Sequence, residues 1–286
     1  MYITGFLLEF YLNYPKLEIT IMEVITIFLT SLMAVIGTGG IIAEEEVAKA
    51  IRDRVTDVET LAVRIDNRPI HRLLGGKIDR LSIATRGLLL IPEVRIDLLE
   101  IETDPIDIPD FAVGEEIISR RILSQPIQLG MRLILKEDDL NEALRSQVVK
   151  SYLETRIPQS RNYQLISVEV KLNEDNRLEI NLELYSKPKE ETMNIIVNFG
   201  LAVKQGHQLE IIEPVATINE RRVSPRFLDR YIQNNLEDLN LQRLDSEGII
   251  SRVLHLEVDE DSLSIVTFIR LEELPEIEIS KREKGN

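Results

Sequence analysis

Residues 166–184 read ISVEVKLNEDNRLEINLEL, and apolar and polar side chains alternate on both sides of Asp175-Asn176. Successive side chains of a β-strand point to opposite faces, so this alternation is typical of a strand with one buried face. Aspartate and asparagine favour tight turns because their side chains tolerate left-handed backbone angles. The stretch therefore predicts an antiparallel hairpin with one apolar face and one polar face.

The same alternation recurs along most of the chain after Ala43. The segments that show it are 61–65, 81–83, 94–98, 129–135, 195–203, 209–211, 254–258 and 263–269. The adjacent apolar residues Leu98-Leu99 interrupt the pattern and predict a β-bulge at that point. Each strand of an antiparallel sheet that exposes one face to solvent has this pattern. The sequence therefore predicts about ten one-sided strands.

Three other segments, 44–55, 138–152 and 225–239, have apolar residues at helical spacing. The third begins with Ser224-Pro225, a serine that can cap the helix followed by a proline that fits its first turn. With so many strands and so few helices, the apolar face of the sheet must curl around the helices, close on itself or line an apolar cavity. We predict an α+β fold in which a strongly curved, mainly antiparallel β-sheet wraps around a few amphipathic helices. Periodicity alone favours a packed core over a cavity.

Composition excludes several classes of function. The 286 residues are 44% hydrophobic and 29% charged, which is typical of a globular protein. The formal net charge of −15 argues against nucleic acid as a partner, because phosphate binding needs an excess of Lys and Arg. The chain has no cysteine, so disulfides, zinc–thiolate sites and thiol catalysis are excluded together.

An uncharged apolar segment of 19 residues, 24–42, precedes the alternating region. At about 1.5 Å per residue a helix of that length just crosses a bilayer core. Three interpretations stay open: an uncleaved membrane anchor, an atypical export signal without a basic n-region, or an apolar helix that packs on the domain. Met22 is an alternative start. We expect a leader or anchor at 1–42, a single domain at 43–275 and a charged tail at 276–286.

No constellation of residues in the sequence points to catalysis. The three histidines, His71, His207 and His255, are far apart in the sequence and have no second histidine at metal-ligand spacing. No nucleophile elbow or glycine-rich phosphate loop occurs. The aspartates at 104, 107 and 110 alternate with prolines, which predicts an extended edge segment rather than a calcium loop. We therefore expect no enzyme, no metal and no cofactor.

Three segments taken together resemble a known family. Residues 69–87 read PIHRLLGGKIDRLSIATRG, residues 99–107 read LEIETDPID, and residues 137–144 read EDDLNEAL. Their order and spacing resemble the bacterial LmeA-like phospholipid-binding family of the cyanobacterial type, over about residues 43–271. One departure is Lys136, which occupies the position where a capping serine or threonine is expected.

The resemblance implies a fold similar to the tubular lipid-binding domains and phospholipid binding at the cell envelope. It favours an apolar groove over a packed core. The candidate groove residues are Leu81, Ile83, Met131 and Leu133 on strands and Leu140, Leu144, Val148 and Tyr152 on a helix. The candidate headgroup residues are Arg72, Lys77, Arg80 and Arg86, because arginine forms forked hydrogen bonds to phosphate.

The expected function is non-catalytic phospholipid binding or lipid handling through an apolar groove. The expected partners are a phospholipid or other acyl lipid and a membrane surface. The expected location is membrane-associated or periplasmic, in the cell envelope, with the cytoplasm as the remaining alternative. The alternative is a protein-interaction or scaffold module, in which the core is packed and the acidic outer face binds a protein partner.

Overall fold

The computed structural model describes residues 44–69, 77–91, 93–107, 125–156, 162–226, 228 and 240–272. The leader 1–42, the tail 276–286 and most of the predicted helix 225–239 lie outside these residues. Of that helix, Pro225 and Arg226 are helical, and the Leu228 N–H donates to the Ser224 carbonyl at 3.3 Å. Its predicted start is therefore confirmed.

Strands dominate the described part of the chain. They are β1 (Asp57–Asp66), β2 (Lys77–Ile78), β3 (Arg80–Ile91), β4 (Val94–Thr103), β5 (Ile106–Asp107), β6 (Ile127–Lys136), β7 (Tyr163–Asn173), β8 (Arg177–Ser186), β9 (Glu191–Lys204), β10 (Gln208–Ile218), β11 (Arg221–Arg222), β12 (Ile249–Val258) and β13 (Ser262–Leu271). All their pairings are antiparallel. The mainly antiparallel fold is therefore confirmed.

The strands form two separate open sheets rather than the single large sheet that was predicted. The first sheet has the order β1-β3-β4-β6-β13-β12, and the second has the order β11-β10-β9-β8-β7. The short strands β2 and β5 pair with each other. β6 pairs with β13, more than a hundred residues later, and the strands of the second sheet lie in the chain between β6 and the edge strand β12 of the first.

Besides the helical residues at 225–228, the described part of the chain has three α-helices and one 3-10 helix. They are α1 (Glu44–Arg52), α2 (Glu137–Arg145), α3 (Gln147–Arg156) and the 3-10 helix Leu241–Glu247. The predicted single helix 138–152 is wrong, because Ser146 has an extended backbone (φ −64°, ψ 146°) that separates α2 from α3. Lys136 precedes α2 and makes no side-chain capping hydrogen bond, as expected from its side chain.

The inner face of the first sheet is defined by the alternate positions that carry its apolar side chains. Leu81 on β3, Ile101 on β4, Met131 on β6 and Ile269 on β13 are buried in one hydrophobic cluster. Val47 and Ile51 of α1 belong to the same cluster. The outer face of this sheet carries the intervening polar and small residues. The predicted one-sided pattern is thus confirmed for the first sheet except at Leu98-Leu99 of β4, where both faces are buried.

The predicted hairpin 166–184 is formed by β7 and β8. Three residues, 174–176, connect the paired Asn173 and Arg177, and two of them, Asp175 and Asn176, have left-handed φ angles of 60° and 56°. The apolar phase of β7 is shifted at Ile166, where the pairing register between β7 and β8 slips by one residue. Ile166 therefore points outward and is 39% exposed, whereas Leu165 is buried.

A second bulge lies in β12, between Val253 and His255. Leu254 is extruded by it and is 66% exposed, although alternation had placed it on the apolar face. The bulge predicted at Leu98-Leu99 is wrong, since β4 keeps an unbroken register with β6 through both residues. Both leucines are buried because β4 is a central strand that is covered on both faces at this point.

Candidate functional site

The second sheet has an apolar inner face that is only partly covered. Its half-buried members are Val170, Ile180, Leu182, Met193, Ile195, Val197, Leu201, Val203, Leu209, Ile211 and Ile218. The strand registers place them opposite one another, as in the row Val170, Ile180 and Val197. We call this surface the open apolar face. A contiguous apolar surface of this kind on a folded protein usually marks a site of interaction.

The open apolar face continues onto the first sheet. Leu256, Val258 and Leu263 lie on the inner face of β12 and β13 and pack in the same hydrophobic cluster as Val197 and Ile211. The Val258 N–H donates to the Asn176 side-chain oxygen at 2.7 Å, which joins the β12–β13 hairpin to the β7–β8 turn. The two apolar inner faces are therefore continuous across this seam.

Helix α2 bonds to the edge of the second sheet through side chains. The Glu137 carboxylate accepts from the Leu172 N–H at 2.7 Å. The Asn141 amide accepts from the Val170 N–H and donates to the Val170 carbonyl, both at 2.8 Å. Asn141 thus satisfies the backbone groups of edge strand β7 as a neighbouring strand would.

On its opposite side α2 is bound to the first sheet by Arg95 of β4. The Arg95 guanidinium contacts Asp139 of α2 at 2.8 Å, Glu59 of β1 at 2.8 Å and Asp97 at 3.6 Å. Burial raises the pKa of the Asp139 carboxyl, and the hydrogen bond from Arg95 opposes that rise without cancelling it. The pKa of Arg95 is raised, and its hydrogen bond to Glu59 contributes most to that rise.

Gly87 of β3 leaves the space in which Glu59 reaches Arg95. Its φ is +57°, and a Cβ atom at this position would lie 2.2 Å from the Glu59 Cδ atom. Only glycine therefore fits both the backbone and the side chain that crosses it. Gly87 belongs to the segment 69–87, which carries part of the family resemblance. At least one residue of that segment therefore has a structural role, because it makes room for the contact between Glu59 and Arg95.

The four strand residues predicted to line a groove lie together. Leu81, Ile83, Met131 and Leu133 are all buried on the inner face of the first sheet, in one cluster. The two described helix side chains of the prediction lie elsewhere: Leu140 and Leu144 of α2 are half-buried and pack on the second sheet. The side chains of Val148 and Tyr152 lie outside the described part.

The residues predicted to bind a headgroup are dispersed. Lys77 pairs with Asp107 at 3.0 Å, and Arg80 pairs with Glu102 at 3.1 Å. Arg86 is exposed on the outer face of the first sheet, opposite Leu98, and Arg72 lies outside the described residues. The structure does not bring Arg86 and Lys77 to one cluster.

The outer face of the first sheet carries a shallow depression of about 490 Å³. Its floor is made by Ala62, Ser82, Ala84 and Gly130, and its rim includes Arg132. A Cβ atom built on Gly130 has no neighbour within 4 Å, so the glycine leaves the floor open. The charges at the rim are of both signs, since Arg132 lies 3.7 Å from Glu100.

Metal chemistry and membrane spanning find no support in the part of the chain that the structure describes. Within it, no three histidine, aspartate or glutamate side chains are grouped so that they could hold a metal ion. No helix within it has both the length and the apolar composition needed to cross a bilayer.

Sequence reasoning missed the residues that position α2 and those that form the open apolar face. Arg95, Asp97 and Asp139 are separated by up to 44 residues, and nothing in the sequence pairs them. The sequence did indicate the apolar side chains of the open apolar face, because the second sheet has the same alternation as the first. Alternation could not show which of the two sheets has the less covered apolar face.

Comparison with known proteins gives one positive finding. The model of a protein family described as LmeA-like phospholipid-binding matches residues 34–268. The match includes both sheets, α2 and the seam between them. Comparisons with curated proteins and with solved structures found no match.

Proposed function

Because the chain belongs to the LmeA-like phospholipid-binding family, we propose that it binds a phospholipid whose acyl chains lie along the open apolar face. The observation that carries this proposal is the row of half-buried aliphatic side chains on the second sheet, which is continuous with the first sheet across the seam. Covering such a surface with an acyl chain is favourable by about 0.8 kcal/mol for each buried methylene group.

In this proposal the groove has a wall and a deep end. Leu140 and Leu144 of α2 form part of the wall. Leu81, Ile83, Met131 and Leu133 form the floor of the deep end. The inner faces of both sheets then curve around the lipid and the helices, as in tubular lipid-binding domains, and residues 43–275 act as one domain.

We propose that the function is binding or transport rather than catalysis, since the family is described by binding. Lys77 and Arg80, the two candidate basic residues nearest the start of β3, would meet the headgroup phosphate after exchanging their partners Asp107 and Glu102. We propose accordingly that the protein acts at the cell envelope or a membrane surface, where phospholipid is exposed.

Two adjacent residues of β10 provide a matched test. Ile211 lies on the open apolar face, whereas Ile212 points to the outer face and is 38% exposed. We expect I211Q to weaken binding to phosphatidylglycerol vesicles about tenfold, because an aliphatic side chain that is buried by a ligand contributes roughly 1.5–3 kcal/mol. I212Q should bind as the unmodified protein does.

Vesicle flotation measures the binding, and thermal unfolding confirms that both variants fold. Equal loss in I211Q and I212Q would mean that the open apolar face is not the site. If the unmodified protein does not bind vesicles or soluble short-chain phospholipid, the proposed function is wrong.

A protein-interaction module is the second candidate, and the depression on the outer face of the first sheet favours it. Its open floor and its rim of both charge signs suit a protein surface better than an acyl chain. G130W would fill the floor. That variant should abolish partner binding in the second candidate and leave lipid binding unchanged in the first.

A further inference from the structure

The two ends of the open apolar face differ in how far they are covered. Toward the seam the face meets the inner core of the first sheet, where Leu133 and Ile269 are 6% and 0% exposed. At the opposite end the row Leu182, Ile195 and Ile218 remains half-buried. We call this the far end. The apolar surface is therefore closed toward the first sheet and more accessible at the far end.

Arg221 of the edge strand β11 stands at the end of this row. It lies directly opposite Ile218, and directly opposite residues of an antiparallel pair project from the same face. Ile218 lies opposite Ile195, which lies opposite Leu182. A line of three aliphatic side chains therefore ends at an exposed arginine. Such an arginine can keep its aliphatic stem on apolar surface while its guanidinium reaches a polar layer.

The turn between β10 and β11 fixes the position of Arg221. Its two residues, Asn219 and Glu220, have φ angles of 48° and 65°, the left-handed values of a two-residue hairpin turn. The Asn219 N–H donates to the Asn194 carbonyl of β9, and the Asn219 side-chain oxygen accepts from the Asn194 N–H, both at 2.8 Å. Arg221 therefore follows a turn that is bound to the sheet, rather than a free loop.

Arg221 and its neighbour Arg222 differ from most basic residues of the described strands. Arg64, Arg132 and Lys204 each contact a carboxylate, at distances of 2.9, 3.7 and 3.0 Å. Neither Arg221 nor Arg222 forms an ion pair with another described residue, although the chain has a formal net charge of −15. Both are exposed. Two adjacent guanidinium groups are thus available to anions from outside the chain.

The neighbouring turn between β8 and β9 adds positive charge at the same end of the sheet. Lys187 and Lys189 of this turn are exposed, and only Lys189 has an ion pair with a described residue, to Glu191 at 3.4 Å. The two segments that form the far end, 187–191 and 219–226, together have five basic and three acidic side chains. The far end is therefore basic in a chain that is acidic as a whole.

We propose that the far end docks on a membrane surface that carries anionic phospholipid, with Arg221 and Arg222 contacting the phosphate groups of that surface. This inference rests on the proposed function and names the part of the protein that meets the membrane. Basic side chains near an anionic lipid surface are attracted to it. A membrane is favoured over an acidic protein partner because the apolar row continues directly from Arg221, as apolar and charged layers adjoin at a bilayer surface.

Vesicle flotation tests the docking surface by comparing phosphatidylcholine vesicles with vesicles that also contain phosphatidylglycerol. The unmodified protein should bind the anionic vesicles more tightly, and added salt should weaken this preference because it screens the charges. The double variant R221Q/R222Q should bind them about twentyfold more weakly at low salt, since each basic residue near an anionic surface contributes about fivefold. R221K/R222K keeps both charges and should retain most of the binding.

The double variant R64Q/R270Q is the matched control, because it removes the same charge from the outer face of the first sheet. Arg64 and Arg270 are paired with Asp66 and Glu272, each at 2.9 Å, and this control should bind the anionic vesicles as the unmodified protein does. A soluble short-chain phosphatidylglycerol measures lipid binding without a membrane, and R221Q/R222Q should still bind it. Thermal unfolding confirms that the variants fold.

The outcomes separate docking from lipid binding. The docking surface is wrong, while lipid binding stands, if R221Q/R222Q floats with anionic vesicles as well as the unmodified protein or if R64Q/R270Q loses as much binding. Loss of the short-chain lipid in R221Q/R222Q would also overturn it, because the two arginines would then belong to the site of the bound lipid. If the unmodified protein binds neither vesicles nor the short-chain lipid, the proposed function itself fails.

Discussion

Arg95 contacts carboxylates from three parts of the chain, and Asp139 is the most buried of them. The Asp139 side chain is 11% exposed and that of Arg95 is 28% exposed, so the contact is shielded from water far more than the other ion pairs of the first sheet. Exposed pairs such as Arg80 and Glu102 contribute little to stability. A partly buried pair differs, since removal of one partner leaves a charge without compensation.

We predict that R95M destabilises the protein by about 2 kcal/mol and that D139N in the same chain restores much of the loss. The folded-state pKa of Asp139 is already raised by burial, and removal of Arg95 raises it further. A carboxyl with a raised folded-state pKa favours folding most at acid pH, and this contribution is lost as the pH rises through that pKa. The deficit of R95M should therefore be smaller at acid pH than at pH 8.

Urea unfolding of the unmodified protein, R95M, D139N and the double variant, at acid pH and at pH 8, measures the free energy of unfolding in this double-mutant cycle. R80M is the matched control for removal of a surface arginine, and its stability should stay close to that of the unmodified protein. A deficit of R95M that is independent of pH, or one that D139N does not reduce, would contradict the coupling.

At the scale of elements, α2 is the connection between the two sheets. Asn141 and Glu137 bond to the backbone of β7, while Asp139 bonds to Arg95 of β4. Three residues of the segment EDDLNEAL thus serve two different strands. The residues that carried the family resemblance here are residues that hold the sheets together.

We predict that N141A lowers stability by about 1–2 kcal/mol, because it leaves the N–H and carbonyl of Val170 without partners. Hydrogen exchange should accelerate at the Val170 amide and remain slow at β9, which has strand neighbours on both sides. N173A is a matched control, since the Asn173 side chain donates a long, exposed hydrogen bond of 3.4 Å to the Lys171 carbonyl of its own strand. Unchanged exchange at Val170 in N141A would show that α2 does not protect this edge.

Most of the strands and the turn between β7 and β8 could be predicted from the sequence. Alternation identified the strands, and Asp175-Asn176 identified the turn, because both depend on neighbouring residues alone. The bulges at Ile166 and Leu254 could not be predicted, since one extra residue shifts the phase without a mark in the residue types. The break at Ser146 was missed as well. The Ser146 Oγ accepts from the Val149 N–H at 3.2 Å and so caps the start of α3, but the residue type alone does not distinguish a capping serine from one inside a helix.

At the scale of the whole molecule, the sequence predicted which side chains of one strand share a face better than it predicted which strands and helices come together. Leu81 and Met131 were correctly assigned to one face, because they lie on strands with regular alternation. Leu140 was expected opposite them and packs on the second sheet instead. Which strands share a sheet depends on pairing between distant segments, such as β6 with β13, and local patterns carry no information about it.

The two open sheets share a continuous apolar inner surface, and α2 fixes one sheet to the other. The central proposal is that this surface holds a phospholipid. An empty surface of this kind exposes apolar side chains to water, whereas an occupied one is covered as a protein interior is. Occupancy is consequently the property that decides the claim.

Native mass spectrometry of the full-length protein, purified in mild detergent from its own cells, measures occupancy directly. We predict a population that is heavier than the bare chain by the mass of one phospholipid, with the lipid identified after solvent extraction. I211Q should have less of this population and I212Q as much as the unmodified protein. The proposal would be contradicted if every preparation had only the mass of the chain without lipid and if phospholipid added in solution did not increase that mass.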